Sequence, residues 1–242
     1  MAEWQKWLWD GLGWSMFGPL GGILARAMGN DTEQGGAQEL DEEAFYPQTR
    51  AGDFGLSLMV LLPPVVRADQ QVSQPELDFV HYFFVTTFGT EQAQDLMGLL
   101  QNIFEQDYSL REVCHQIHTL MDYPSCLEIV HLLFGLAQAD GHIDLEEVRV
   151  IREISGYIGI SQRDFESIQA MFLEGTDALY QILQVDRAAS RKAVEQAYQR
   201  MCDTHHPDRV GHLGPEFQQL AEEKFRAVTE AYQRIKEDKD WT

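Results

Sequence analysis

The sequence of 242 residues predicts an all-α protein, and three observations support that class. From residue 51 onward nearly every segment shows the helical period of apolar residues, and no alternating strand pattern stands out. A helix–loop–helix pattern at 67–83 recurs at 138–154, with a constant offset of 71 residues. Near the C-terminus, two amphipathic helical patterns are separated by a short loop, which is typical of an antiparallel helical hairpin.

The first element is a hydrophobic, glycine-rich segment at residues 1–28. Lys6 and Arg26 are separated by 19 residues, interrupted by Asp10, and a helix that crosses a bilayer needs about 20 mostly apolar residues. A positively charged leader and a small-residue cleavage site are both missing from this segment, so a secretory signal is not predicted. Two interpretations stay open: residues 4–28 associate with a membrane, or they form a hydrophobic hairpin that packs on the protein itself.

The second element, residues 29–50, is a polar and acidic linker that is predicted to be disordered. Residues 1–176 carry 27 acidic and 8 basic side chains, whereas residues 177–242 carry 12 and 10. Nearly all of the net charge of −21 therefore lies in the first part, which indicates two modules with different electrostatic tasks. Nucleic acid and anionic lipid repel such an acidic chain, so neither is predicted as a general partner.

A bundle with two capped helices is predicted from the repeat, within residues 51–175. Ser73 with Glu76, and Asp144 with Glu147, fit a capping arrangement in which side chains satisfy the free N–H groups of a helix start. The second helix continues with an apolar stripe at spacings of three and four, formed by Val148, Ile151, Ile154 and Ile158.

Two more helices complete this bundle. Ser161 and Asp164 open a helix whose predicted inner face is formed by Phe165, Ile168 and Phe172. The segment SCLEIVHLLFGLAQAD is apolar almost all round and is predicted to lie at the centre. The repeat, above all FGLAQADGHIDLEEVRVIREISGYIGIS, resembles the TerB-like helical domain over about residues 52–175, in the form that precedes a J domain in DjlA-like membrane-associated co-chaperones.

Two groups of side chains in this bundle have the chemistry of metal ligands. Asp140, Asp144 and Glu147 could bind a divalent cation, but their spacing fails the EF-hand pattern, and helix capping with a glycine turn accounts for them better. A second group does not have a familiar zinc spacing; it comprises Cys114, His115, His118 and Cys126. A metal site is therefore not predicted.

The three cysteines form no Cys-x-x-Cys pair, which indicates reduced thiols in the cytoplasm. The sequence contains no phosphate-cradling glycine loop, no Ser-His-Asp order with a nucleophile elbow and no nucleotide fingerprint. We therefore predict neither an enzyme nor a bound cofactor.

From Thr176 the chain predicts a helical hairpin that is preceded by a short LYQILQV element. Its first helix is capped at Ser190, and Val194, Ala197, Tyr198 and Met201 form its apolar side. Gly214-Pro215 starts the second helix, as a first-turn proline favours. Its inner stripe is formed by Phe217, Leu220, Ala221, Phe225, Val228, Ala231, Tyr232 and Ile235.

The loop of about eight residues between these helices contains His206-Pro207-Asp208. With the flanking apolar positions in register, the segment 177–237 resembles the J domain of DnaJ-like proteins, which predicts a J domain at residues 176–242. Pro207 fixes its own φ and moves His206 out of helical conformation, so we expect both polar side chains to point outward. The resemblance implies that this loop engages the nucleotide-binding region and interdomain linker of a DnaK-type chaperone and accelerates its ATP hydrolysis.

The resemblance also implies that a basic face of the first hairpin helix takes part in docking. The matching side chains in this sequence are Arg191, Lys192, Arg200 and Arg209. Glu195, Gln196 and Gln199 stand where the family is often basic, so we expect weaker or more partner-selective docking. The glycine/phenylalanine-rich region and the cysteine-based zinc module of full-length DnaJ proteins are both missing.

Two functions from different classes are therefore considered. The first is a J-domain co-chaperone that recruits a DnaK-type chaperone for unknown client proteins, in the cytoplasm or anchored at the cytoplasmic face of the inner membrane. The second is a TerB-like, stress-associated adaptor or scaffold that has a degenerate J domain and could bind metal.

Overall fold

The computed structural model of the chain describes residues 18–29, 51–69 and 72–241. All regular structure in these ranges is helical, which confirms the predicted all-α class. The described helices are α1 (Gly18–Ala27), α2 (Ala51–Val66), α3 (Gln74–Phe88), α4 (Thr90–Phe104), α5 (Leu110–Leu120), α6 (Tyr123–Ala137), α7 (Leu145–Tyr157), α8 (Gln162–Ala170), α9 (Thr176–Ile182), α10 (Arg191–Thr204), a 3₁₀ helix (Pro207–Leu213) and α11 (Pro215–Asp238).

Helix α1 packs against α4 and α5 as part of the bundle. The backbone N–H of Leu20 donates to Gln116 Oε1 at 3.0 Å, and Asn102 Nδ2 donates to the carbonyl of Ala27 at 2.8 Å. The buried face of α1 is formed by Leu20, Ile23, Leu24 and Ala27. Across the described ranges, no helix combines the length and the apolar character that crossing a bilayer requires. Residues 4–17 of the candidate membrane segment and residues 30–50 of the predicted linker lie outside the described residues.

Both predicted capping boxes are confirmed. Ser73 Oγ accepts from the N–H of Glu76 at 3.3 Å, and Glu76 Oε2 accepts from the N–H of Ser73 at 2.7 Å. In the second copy Glu147 Oε2 accepts from the N–H of Asp144 at 2.9 Å. The reciprocal bonds satisfy backbone donors that a helix start leaves free, so the two copies of the repeat begin their helices in the same way.

Helix α6 is buried on all sides, as its continuous apolar sequence predicts. It contacts α2, α3, α7, α8 and the 3₁₀ helix, and its buried residues include the polar Glu128 and His131. The predicted inner residues of α8 and of the turn after it pack against it: Phe134 lies 5.5 Å from Phe165 and 5.6 Å from Phe172 between ring centroids. Helix α6 is therefore the centre of the bundle.

The C-terminal hairpin has a second core between α9, α10 and α11. The rings of Tyr198 and Tyr232 stack at 4.2 Å with an interplanar angle of 9°. The buried members of this core are Ala170, Ala178, Tyr180, Ile182, Leu183, Val194, Ala197, Met201, Val228, Ala231 and Ile235. Most of them lie on the inner stripes that periodicity predicts.

The inner stripe of α11 contributes residues to two different cores. Phe217 and Ala221 belong to the core of the bundle, whereas Val228 and the residues after it belong to the hairpin core. The ring of Phe217 meets Phe54 edge-on at 4.7 Å between centroids, and Phe83 at 6.2 Å. A shared apolar interface thus joins the acidic bundle to the nearly neutral C-terminal hairpin.

Candidate partner-binding site

The tripeptide His206-Pro207-Asp208 begins a 3₁₀ helix, where the sequence predicts a loop. His206 is extended, with φ −65° and ψ 130°, as the following proline requires. Pro207 takes the first helical position, where its missing N–H costs nothing. His206 Nδ1 accepts a hydrogen bond from the backbone N–H of Asp208 at 3.2 Å, so the imidazole caps this short helix and carries its proton on Nε2.

Both polar side chains of the tripeptide face solvent. The side chain of His206 is 50% exposed and that of Asp208 is 84% exposed. The imidazole rests edge-on against Phe225, with ring centroids 6.0 Å apart. Asp208 Oδ2 lies 3.6 Å from His206 Nδ1. The tripeptide therefore presents an imidazole and a neighbouring carboxylate that the bundle does not cover.

The four basic residues of the predicted docking surface lie in two groups. Arg200 is exposed near the end of α10, and Arg209 Nε donates to the carbonyl of Asp203 at 2.6 Å, across the tripeptide. Arg191 and Lys192 lie in the first turn of α10, about 20 Å along its axis from the tripeptide. Arg191 forms an exposed ion pair with Glu195 at 2.9 Å. Of these four residues, Arg209 spans the tripeptide, and Arg200 lies nearer to the tripeptide along the chain than Arg191 and Lys192 do.

The segment after the tripeptide is anchored in the bundle. Val210 and Leu213 are buried in the core of the bundle. His212 Nε2 lies 3.0 Å from Asp122 Oδ2, and Asp122 also caps α6 by accepting from the N–H of Ser125 at 3.0 Å. The 3₁₀ helix is thus attached to the N-terminus of the central helix.

The residue before the tripeptide, His205, is buried as well. Its side chain has no hydrogen-bonding partner for either ring nitrogen among the described residues. Burial, and then the cation of Lys224, lower its pKa to about 3, so the ring is neutral at pH 7. Burial also lowers the pKa of His131, and Lys224 and His205 add to that shift.

The cation that acts on these histidines belongs to a buried ion pair between Lys224 and Glu128, which was not predicted from the sequence. Lys224 Nζ contacts Glu128 Oε2, and both side chains are buried, with exposures of 0% and 4%. Burial lowers the pKa of Lys224 and raises that of Glu128, and each charge opposes the shift of the other. Lys224 follows Ala221 by three and precedes Val228 by four residues, so the helical stripe itself marks the position as inward-facing.

Polar contacts also join the hairpin to α8. Ser167 Oγ donates to the carbonyl of Ile182 at 2.7 Å, and Gln184 Nε2 donates to Asp164 Oδ1 at 2.8 Å. Burial alone would raise the pKa of Asp164, but hydrogen bonds from Ser161, Tyr123 and Gln184 together lower it. Gln184 has a φ of +55°, which side chains other than glycine rarely adopt.

The candidate metal ligands are engaged in local structure. Asp140 Oδ1 accepts from the N–H of His142 at 2.9 Å, and Asp144 Oδ1 accepts from the N–H of Glu146 at 2.7 Å. Within the described ranges, no group of three or more His, Cys, Asp or Glu side chains is arranged to hold a metal ion.

The cysteine and histidine group also lies outside any metal-holding arrangement in the described ranges. Cys114, His115 and His118 lie on α5, and Cys126 lies on α6. His118 Nδ1 lies 3.1 Å from the carbonyl of Ile158. Both thiols are buried, and burial raises the pKa of Cys114 to about 12.

Replacing Glu147 with glutamine should stabilise the fold at pH 8 but not at pH 5. Burial, with additional repulsion from Glu76, raises the pKa of Glu147 to about 7. Its folded pKa exceeds the unfolded value, so stability is fully present below about pH 4.5 and is lost as pH rises through 7. Glutamine keeps the acceptor for the N–H of Asp144, so we expect a gain of about 1–3 kcal/mol at pH 8 in urea denaturation.

The exposed Glu146 provides the matched control, because its change to glutamine should shift stability by less than about 0.5 kcal/mol at either pH. An equal gain for Glu147→Gln at pH 5 and pH 8 would show that its carboxylate is not the cause.

Comparisons with known proteins agree with this geometry. Residues 55–170 match the family described as tellurite resistance protein TerB, and residues 178–240 match the DnaJ domain family. The chain is similar to the "Co-chaperone protein DjlA" of Vibrio vulnificus (strain CMCP6), with 24% identity over 229 residues that cover 78% of this chain and 79% of that protein. No solved structure gives a significant match.

Proteins with the same name from two other bacteria show the same extent of similarity. The one from Aliivibrio fischeri is 23% identical over 78% of this chain and 80% of its own length. The one from Vibrio cholerae is 24% identical over 78% of this chain and 79% of its own length. With its two domain matches in this order, the chain is a DjlA-like J-domain protein, in which a TerB domain is followed by a C-terminal DnaJ domain.

Proposed function

We propose that this protein is a co-chaperone that recruits a DnaK-type chaperone and stimulates its ATP hydrolysis through the tripeptide. The observation that supports the proposal most directly is the exposure of His206 and Asp208 on a DnaJ domain whose backbone holds them in one shape. A tripeptide that is already shaped loses little conformational entropy on docking, so more of the contact energy remains for binding.

The chemistry of this surface suits recognition of another protein. His206 offers its Nε2–H as a donor, Asp208 offers a carboxylate, and Arg200 and Arg209 add positive charge beside them. We assign Arg191 and Lys192, at the far end of α10, to steering the encounter, because exposed charges act mainly on association rate. The protein itself performs no bond chemistry; it stabilises one conformation of its partner.

Replacing His206 with glutamine should reduce ATPase stimulation at least tenfold. The change removes the ring that caps the 3₁₀ helix and contacts Phe225, and the loss of such a contact costs about 1–3 kcal/mol. The measurement is single-turnover ATP hydrolysis by the DnaK-type chaperone of the same organism, over a range of co-chaperone concentrations.

The control is His81→Gln on the exposed side of α3, which should stimulate as the unchanged protein does. If the unchanged protein gives no stimulation, or if His206→Gln stimulates equally, the adaptor with a degenerate J domain becomes the better account.

We propose a cytoplasmic location, because the three cysteines are free thiols. The candidate anchor is the segment 4–28, although its residues 18–27 form a helix whose apolar face is buried in the bundle. Carbonate extraction of cell membranes tests whether this segment still anchors the protein at the cytoplasmic face of the inner membrane. A peripheral protein is released by carbonate, whereas an integral one remains with the membrane.

A further inference from the structure

The tripeptide lies between two buried residues, Val210 in the core of the TerB domain and His205 within electrostatic range of its residues His131 and Asp164. His205 is buried immediately before it, and Val210 is buried in the core of the bundle immediately after Arg209. Only four residues, 206–209, lie between these two anchors. Because so short a segment has few conformations once its ends are fixed, the positions of the two anchors determine its shape.

Lys224 connects the TerB domain to this segment. Its Nζ pairs with Glu128 in the middle of α6, and its cation acts electrostatically on the buried ring of His205. The next residue, Phe225, carries the ring against which His206 rests. One turn of α11 therefore contacts the centre of the TerB domain and the tripeptide at the same time.

The ion pair determines the position of α11 on α6 more than it stabilises the fold. A buried ion pair is seldom better for stability than apolar side chains of the same size, since both charges lose their hydration. It does specify register, because any rotation or sliding of α11 along α6 separates Lys224 from Glu128 and leaves two unpaired buried charges. Among the described residues, neither Lys224 Nζ nor Glu128 Oε2 has a hydrogen-bonding partner that could replace the other.

We infer that the TerB domain sets the shape of the His-Pro-Asp segment, with Lys224 and Glu128 as positioning residues that fix α11 on α6. The functional part of this inference rests on the proposed function, because a wrongly shaped tripeptide matters only where a chaperone has to dock on it. The structural part concerns this chain alone.

Hydrogen–deuterium exchange of the full chain tests the structural part without a partner. Three variants are compared: Lys224→Met, the double variant Glu128→Met with Lys224→Met, and the control Arg234→Met, which removes one charge from the exposed side of α11. The double variant replaces both charges with apolar chains of similar length, so it should unfold at the same urea concentration as the unchanged protein or a higher one.

In the double variant we expect exchange in residues 205–213 to become about tenfold faster, while residues 90–104 and 228–238 keep their protection. Arg234→Met should leave all three segments unchanged. If the double variant protects residues 205–213 as the unchanged protein does, or if the three segments lose protection together, the ion pair is only structural and the inference fails. Lys224→Met should show the same local effect, and the double variant decides the matter where Lys224→Met does not fold.

The ATPase assay then tests the functional part. In the double variant, the co-chaperone concentration for half-maximal stimulation should rise about tenfold with an unchanged maximum, since fewer molecules hold the docking shape at any moment. An unchanged half-maximal concentration would contradict the positioning role. If the unchanged protein does not stimulate at all, the proposed function fails, whereas the exchange result still decides whether the TerB domain shapes this segment.

Discussion

Replacing Phe217 with alanine should lower the free energy of unfolding by about 3–5 kcal/mol, which is typical for deleting a buried aromatic ring. Phe217 is 1% exposed, and its ring fills the space between α11 and two rings of the TerB domain, Phe54 and Phe83. The measurement is urea denaturation followed by circular dichroism. Because the two domains share this core, we also expect one cooperative transition in the unchanged protein.

Tyr82→Ala is the matched control for this prediction. Tyr82 is 69% exposed, so its loss should change stability by less than about 0.5 kcal/mol. Two separate transitions in the unchanged protein, or a Phe217→Ala variant as stable as Tyr82→Ala, would show that the two domains do not depend on this interface.

Lowering the pH from 7 to 5 should destabilise the fold through its buried histidines. The folded pKa of His205 is about 3 and that of His131 is also lowered, whereas an unfolded histidine titrates near 6.5. A lowered folded pKa gives stability that is present above about pH 6.5 and is lost as pH falls toward the folded value. His205 should therefore remove about 2 kcal/mol between pH 7 and pH 5, and His131 should act in the same direction.

Comparison with His205→Phe isolates this effect. It is needed because other groups change the stability of the fold in the opposite direction as the pH falls. Glu147 and Glu128 have raised folded pKa values and so gain stability as the pH falls, while Lys224 and Asp164 are the charges that act on His205. The loss of stability between pH 7 and pH 5 should be smaller by about 2 kcal/mol in His205→Phe than in the unchanged protein. His81→Gln, an exposed histidine, should keep the full loss; equal losses in all three proteins would show that His205 is protonated in the folded state.

The helix starts and inner stripes could be predicted from the sequence because their causes are local. A cap such as Ser73 with Glu76 involves backbone groups within three residues, and a helical stripe repeats every three or four residues. The non-helical conformation of His206 could be predicted for the same reason, since Pro207 restricts the backbone of the residue before it. Its 3₁₀ conformation was not predicted, because it depends on Val210 and Leu213 entering the core of the other domain.

The buried ion pair escaped prediction because it joins residues that are 96 positions apart in the chain. Within the stretch Glu222-Glu223-Lys224, a lysine reads as part of a charged, solvated face. Periodicity places Lys224 on the inner stripe, but it does not indicate which surface covers that stripe or that a carboxylate lies there. Glu128, within an otherwise apolar helix, is the complementary signal, and only the packed structure brings the two together.

The shared core has a consequence for how this protein can diverge. The two family matches meet between residues 170 and 178, yet the interior crosses that junction, because the first turns of α11 complete the TerB domain. Transplanting a J domain from another protein would leave the carboxylate of Glu128 without its cation and the ring of Phe54 without its neighbour. We therefore expect positions 128 and 224, and likewise 54 and 217, to change together among descendants of this chain. The residues of each domain thus limit which substitutions the other domain can accept.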